Sequence, residues 1–364
     1  MNPLLEVLQQ GQSIWLDLLD RKMMDSGKLR SWIDDDGLRG ITSNPAIFEK
    51  AISNSSDYDE DIASLAKNEN NNEAIFFGLA VKDIQRATDI FQPIYEETEG
   101  LDGYVSLEVS PFLARDTNGT IAQARELWKK VDRKNVMIKI PGTKEGLPAI
   151  RKCISEGINI NVTLLFGIPR YKEVTEAFIS GLEDRLDAGK SIDGIASVAS
   201  FFLSRIDVMV DPMLEEKGLK DLKGEVAIAS AKKAYQIYQE VFSRDRFKKL
   251  RKKGAKPQRV LWASTSVKDP SFRDVKYVEA LIGPETVNTL PLDTLEAFRD
   301  HGKVANELTE NTDHSDKVLH QLKEKGINID KVTQDLEDEG IEKFNTPFDK
   351  LLKGIEAQKQ KAVS

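Results

Sequence analysis

The chain is poor in the residues that several common chemistries need. Cys153 is its only cysteine in 364 residues, which excludes an intramolecular disulfide and a thiolate metal cluster and leaves Cys153 as a small residue on a predicted helix. Histidine is nearly as scarce. His301, His314 and His320 all fall in the charged C-terminal segment without metal-ligand spacing, so they are read as surface residues. Neither a P-loop nor a dinucleotide-binding glycine pattern occurs, and nucleotide chemistry therefore has no support. No run of about twenty apolar residues is present. Met1-Asn2-Pro3-Leu4-Leu5-Glu6 lacks the basic and apolar regions of a signal peptide, so the expectation is a cytoplasmic protein with no membrane contact. Positive charge is in deficit, 52 Lys and Arg against 60 Asp and Glu, giving a formal net charge of −8. That balance argues against a nucleic-acid surface. The one basic run, Arg246-Phe247-Lys248-Lys249-Leu250-Arg251-Lys252-Lys253, precedes an apolar strand and reads as a solvated helix end. Internal repeats and low-complexity tracts are absent.

What the chain does have is length and apolar content, 40% hydrophobic, enough for one decorated α/β barrel or two ordinary domains. Short β-type runs recur at Ser13–Leu19, Gly40–Ser43, Tyr104–Val109, Val136–Ile140, Ile158–Leu165, Gly194–Phe202, Val260–Ser266 and Thr286–Leu290. Eight is the number a closed barrel needs. Amphipathic stretches such as Thr120–Val131, Pro169–Ala188 and Gly224–Phe242 lie between them and suit helices outside a parallel sheet. The pattern favours one α/β domain over 1–364, a (β/α)8 TIM barrel. It carries a helical insertion at about 46–102 and a charged helical segment at about 292–364 that packs on the barrel as an appendage.

Lys139 stands alone as a cation in Val136-Met137-Ile138-Lys139-Ile140, otherwise a buried strand. A buried ammonium must find a partner or give up its proton, and a neutral amine attacks carbonyls. The sharp reading is a Schiff-base lysine; the plain one is a lysine that snorkels to solvent or pairs with a carboxylate. Its company favours the first. Polar residues recur at the ends of the predicted strands: Asp17, Thr42 with Asn44, Glu108, Asn161 with Thr163, Ser200 with Arg205, and Ser264 with Ser266. Strand ends converge on one mouth of a barrel, where barrel enzymes keep their chemistry. Singly, each has an ordinary alternative: Asp17 as a helix cap, Glu108 as a salt-bridge partner of Lys139, Asn161 and Thr163 as backbone ligands, and Arg205 as a salt-bridge partner of Asp207 or another acid.

The segments Gly40-Ile41-Thr42-Ser43-Asn44-Pro45, Ser106-Leu107-Glu108-Val109, Met137-Ile138-Lys139-Ile140-Pro141, Gly157–Phe166 and Asn288-Thr289-Leu290-Pro291 resemble the transaldolase family. The resemblance implies an α/β barrel acting on sugar phosphates with neither a metal nor an organic cofactor. It implies that Lys139 forms the Schiff base, that Asp17 is the acid/base for bond cleavage, and that Glu108 acts through a water held with Thr163. Asn44 and Asn161 would bind the three-carbon unit, with Thr42 and Ser200 as further site residues and Arg205 as a phosphate anchor. Some members place an arginine two residues after the serine corresponding to Ser264, which would itself bind phosphate; here that position is Ser266, and Lys268 is either the replacement charge or a solvated loop lysine. The state of assembly, monomer or homodimer, stays open. So do a class I aldolase and a catalytically silent barrel as alternatives.

Overall fold

Eight apolar runs form parallel strands that are buried on both faces, as expected of a sheet covered by helices. The computed structural model describes residues 2–363. The strands are β1 (Gln12–Asp17), β2 (Gly40–Thr42), β3 (Tyr104–Glu108), β4 (Val136–Pro141), β5 (Ile160–Leu165), β6 (Ser197–Phe202), β7 (Arg259–Ala263) and β8 (Thr286–Leu290). They follow chain order around a closed barrel. Closure is a five-residue ladder between β1 and β8, from Gln12 opposite Thr286 to Leu16 opposite Leu290. The outer ring includes the helices Thr117–Val131, Ile168–Asp187 and Val226–Ser243, where the apolar periodicity placed them. Gly40 opens β2 because a Cβ there would lie 2.7 Å from the Trp15 ring and 2.8 Å from the Tyr104 carbonyl.

All strands but β8 have limits that differ from the sequence reading by one to three residues, and β5, β6 and β7 show why. β5 starts at Ile160 because Asn159 spends its side chain on the carbonyls of Lys134 and Val136 and the amide of Ala196. β6 starts correspondingly late, at Ser197. β7 ends at Ala263, since Ser264 turns to φ +53° and carries Thr265 and Ser266 into the following loop.

Helices Pro45–Ser53, Asp59–Leu65 and Asn72–Glu97 fill the interval between β2 and β3. After β8 come Leu292–His301, Thr312–Glu324 and Ile329–Val363. The last of these is no peripheral appendage. Arg170 pairs with its Glu337 at 3.2 Å, and Lys350 pairs with Glu49 of the inserted helices at 2.7 Å. Phe348 packs edge-on against Phe76 and Phe112, with ring centroids 5.4 and 5.3 Å away. The helix therefore crosses the barrel mouth.

Cys153 is buried in the helix Gly146–Glu156, and burial pushes its thiol up to about 12, leaving it protonated and unreactive. The basic run is not a helix end but makes up most of a short helix of its own, Asp245–Arg251, whose Phe247 and Leu250 are buried and whose Arg246 pairs with Glu176 and Glu183. All three histidines are exposed. Among the described residues no helix is long and apolar enough to cross a membrane.

Candidate active site

Lys139 projects from the middle of β4 into the barrel and is 4% exposed. Register places Glu108 of β3 opposite it on one side and Asn161 of β5 on the other. Its ammonium lies 3.5 Å from Glu108 Oε2 and donates to the Ser43 carbonyl at 3.1 Å. Snorkelling to solvent is thereby excluded, while pairing with Glu108 is real. That pairing does not make the lysine inert, because the partner is itself a poor anion. Burial raises the Glu108 carboxyl to about 7; Lys139 opposes the shift and nearby Asp17 adds to it. At neutral pH Glu108 thus exchanges a proton readily, which suits an acid/base group.

Asp17 ends β1 at the cavity wall. Desolvation raises its pKa, offset by Lys139, Thr42 and Asn44. Thr42 Oγ1 donates to Asp17 Oδ1 at 2.8 Å and lies 2.7 Å from Thr289 Oγ1. The capping alternative for Asp17 fails, since Asp20 caps the helix Arg21–Asp25 through Met23 N at 2.8 Å. Asn44 serves twice: its Oδ1 caps the helix Pro45–Ser53 through Ile47 N, while its side chain also reaches Asp17.

Asn161 is set deeper than a strand end, as the second residue of β5, level with Lys139. Its amide donates to Ser106 Oγ at 3.0 Å and accepts from Ser200 Oγ at 2.7 Å, so its orientation is locked. Thr163 lies within an irregularity in the ladder between Val162 and Leu165, where Leu164 takes φ +55°. Bulges of this kind re-aim side chains beside active sites. Among the described residues Thr163 Oγ1 is buried without a hydrogen-bond partner, and the buried Glu108 carboxyl has only its ion pair with Lys139. Buried oxygens ordinarily find partners, so both groups have capacity left for a water or a substrate oxygen.

Arg205 reaches the mouth from the first turn of the helix Ser204–Glu216 rather than from β6 itself. Its suspected salt bridge with Asp207 is absent, because Asp207 is taken by Ala227 N at 2.8 Å and Tyr277 Oη at 2.7 Å. The guanidinium instead lies 5.7 Å from the Phe202 ring, and its buried Nη1 has no hydrogen-bond partner among the described residues. Ser264 Oγ sits 2.9 Å from Ser204 Oγ, and Lys268 Nζ donates to Ser266 Oγ at 2.7 Å. Burial lowers the Lys268 pKa, and the positive charge of Arg205 lowers it further. Two cations held near each other favour an anion between them.

Asp17, Thr42, Asn44, Lys139, Ser200, Arg205, Ser264, Ser266 and Lys268 line one cavity of about 240 Å³, which Glu108 joins through Lys139 and Asn161 through Ser200. Thr163 is outside this lining, two residues further along β5 than Asn161 and opposite Pro141. Sequence reasoning missed Phe202, Thr289, Lys343 and Phe344, which share the lining. Thr289 could have been found from its place at the end of β8. Lys343 and Phe344 carry no such signal, being on a helix far along the chain. A larger cavity of about 490 Å³ opens at the N-terminal end of the barrel, beside the buried Arg259–Asp102 pair at 3.0 Å. It lies away from Lys139 and Glu108, at the face that serves stability in such barrels.

The family model described as Transaldolase/Fructose-6-phosphate aldolase matches residues 14–355. The chain is similar to "Transaldolase" of Trichodesmium erythraeum, 53% identical over 321 residues that cover 85% of this chain and 84% of the relative. It is also similar to "Transaldolase 2" of a Nostoc species, 51% identical over 320 residues with coverage of 85% and 84%. "Transaldolase" of Saccharopolyspora erythraea is 51% identical over 308 residues, covering 84% of each chain.

Proposed function

The chain belongs to the transaldolase/fructose-6-phosphate aldolase family, and from that membership we propose that it transfers a dihydroxyacetone unit from sedoheptulose 7-phosphate to glyceraldehyde 3-phosphate. The products are erythrose 4-phosphate and fructose 6-phosphate. The observation that carries the reading is Lys139, buried 3.5 Å from a carboxyl that titrates near neutrality. Its amine attacks the ketose carbonyl. Glu108, through a water shared with Thr163, protonates the departing hydroxyl of the carbinolamine, leaving an iminium. Asp17 then takes the proton of the C4 hydroxyl as the C3–C4 bond breaks, and the electron pair is delocalised into an enamine. Asn44 and Asn161 hold that fragment until the acceptor aldehyde arrives. The test is borohydride reduction with fructose 6-phosphate, which should place an adduct on Lys139, together with a coupled assay run with and without acceptor aldose. Acceptor-independent release of dihydroxyacetone at the full rate would make the protein an aldolase instead.

Glu108 gives this scheme a pH signature. Its acid form is present below about 7 and lost above it, so single-turnover imine formation should acquire a component that declines as pH rises through that value. Glu108→Gln should slow imine formation about 10²-fold and erase that component. A mutant profile identical to the parent's would remove Glu108 from the proton path.

Arg205 and Lys268 form the phosphate grip. Losing a charge-assisted contact costs about 1.5–3 kcal/mol, so Arg205→Ala should raise KM for phosphorylated sugars roughly tenfold to hundredfold. Lys268→Ala, which removes a more exposed point charge, should raise it less. Equal effects of Arg205→Ala on phosphorylated and unphosphorylated donors would refute the anchor.

A further inference from the structure

The C-terminal helix brings an aromatic ring to the reactive nitrogen. Lys139 Nζ lies 5.7 Å from the Phe344 ring centroid, over its face. The ring is 7% exposed and shares the cavity lining with Asp17, Asn44 and Phe202. Its position is fixed from both sides. One turn earlier Gly340 lets the helix settle on the bulged strand, where a Cβ would stand 3.1 Å from Leu164 Cδ2. One turn later Phe348 is wedged between Phe76 and Phe112. Glu108 and the Ser43 carbonyl supply polar surroundings for Nζ, and Phe344 supplies an apolar wall.

Resting on the Schiff-base reading above, we infer that Phe344 is a specificity-determining residue that divides transfer from wasteful release of the three-carbon unit. The enamine on Lys139 has two fates. In transfer its nucleophilic carbon forms a bond to the acceptor aldehyde carbon, whose oxygen takes up a proton. In release the same carbon takes a proton from solvent, water adds to the resulting iminium carbon, and the C–N bond breaks with its electron pair returning to nitrogen as free dihydroxyacetone departs. Only the second route needs solvent before the acceptor arrives. A ring over the nitrogen keeps bulk water from that side, and its face also favours the cationic iminium over hydration.

The test uses the full-length chain with fructose 6-phosphate as donor and glyceraldehyde 3-phosphate as acceptor, and measures free dihydroxyacetone released per unit transferred. Phe344→Ala should raise that ratio about tenfold, while the yield of borohydride trapping on Lys139 stays within about twofold of the parent. Phe344→Tyr, which keeps a ring face, should restore the parental ratio. Both fates share one intermediate, so a purely structural role would lower them together and leave the ratio alone. An unchanged ratio in an alanine variant that still traps substrate overturns the inference; if that variant does not fold, Phe344→Val is read by the same criterion. Failure of the parent itself to trap substrate would instead refute the Schiff-base reading.

Discussion

Lys139→Met is expected to end turnover and covalent trapping altogether while leaving the barrel assembled. The methionine side chain has similar length and needs no charge partner, so it fills the same volume among Glu108, Asn161 and Phe344. Among the described residues no other amine is placed to replace the lost one: Lys268 and Lys343 line the cavity, but Lys268 is engaged with Ser266 and Lys343 with Glu339 on its own helix. The cost appears in stability, and its pH dependence has a definite sign. The Glu108 carboxyl sits near 7 in the folded protein against an ordinary 4.5, with Lys139 already holding it down from a still higher value. A carboxyl raised on folding binds more protons in the native state, so stability falls as pH rises between the two values. For Glu108 in the parent that loss is about 3 kcal/mol, complete above roughly pH 7. Without Lys139 the upper value climbs further, so the variant keeps losing stability where the parent has levelled off. Melting temperatures should therefore diverge from pH 6 to pH 9. A substrate adduct on the methionine variant at parental yield would move the nucleophile elsewhere.

Asp17→Asn separates the two halves of the chemistry. Imine formation does not require a base at Asp17, but breaking the C3–C4 bond does, so trapping should persist while steady-state turnover falls about 10²–10⁴-fold. Structure is preserved because the Asn carbonyl can still accept from Thr42 Oγ1, now 2.8 Å from Asp17 Oδ1. Removing the negative charge also removes one contributor that raises the Glu108 pKa, so the pH-dependent component of imine formation should shift toward lower pH. Turnover at the parental rate would return Asp17 to a structural role as the acceptor for Thr42.

The sequence alone determined the barrel and the gathering of most candidate site residues because both are written in local patterns. A parallel strand buried on both faces must be an apolar run, so Lys139 in Val136–Pro141 and Glu108 at the end of Tyr104–Glu108 are conspicuous without any knowledge of packing. Eight such runs separated by helical periods leave few topologies other than a closed barrel, and closure carries their polar residues to one mouth. Tertiary structure decided what depends on groups distant in sequence. It locked Asn161 between Ser106 and Ser200, denied Arg205 the salt bridge with Asp207, and placed Lys268 where the charge of Arg205 reaches it. Above all it laid Ile329–Val363 across the mouth and set Phe344 against Lys139. An amphipathic helix shows which stripe it buries but not against what, because its periodicity records only the need for apolar cover. Which surface meets that need is settled by packing alone.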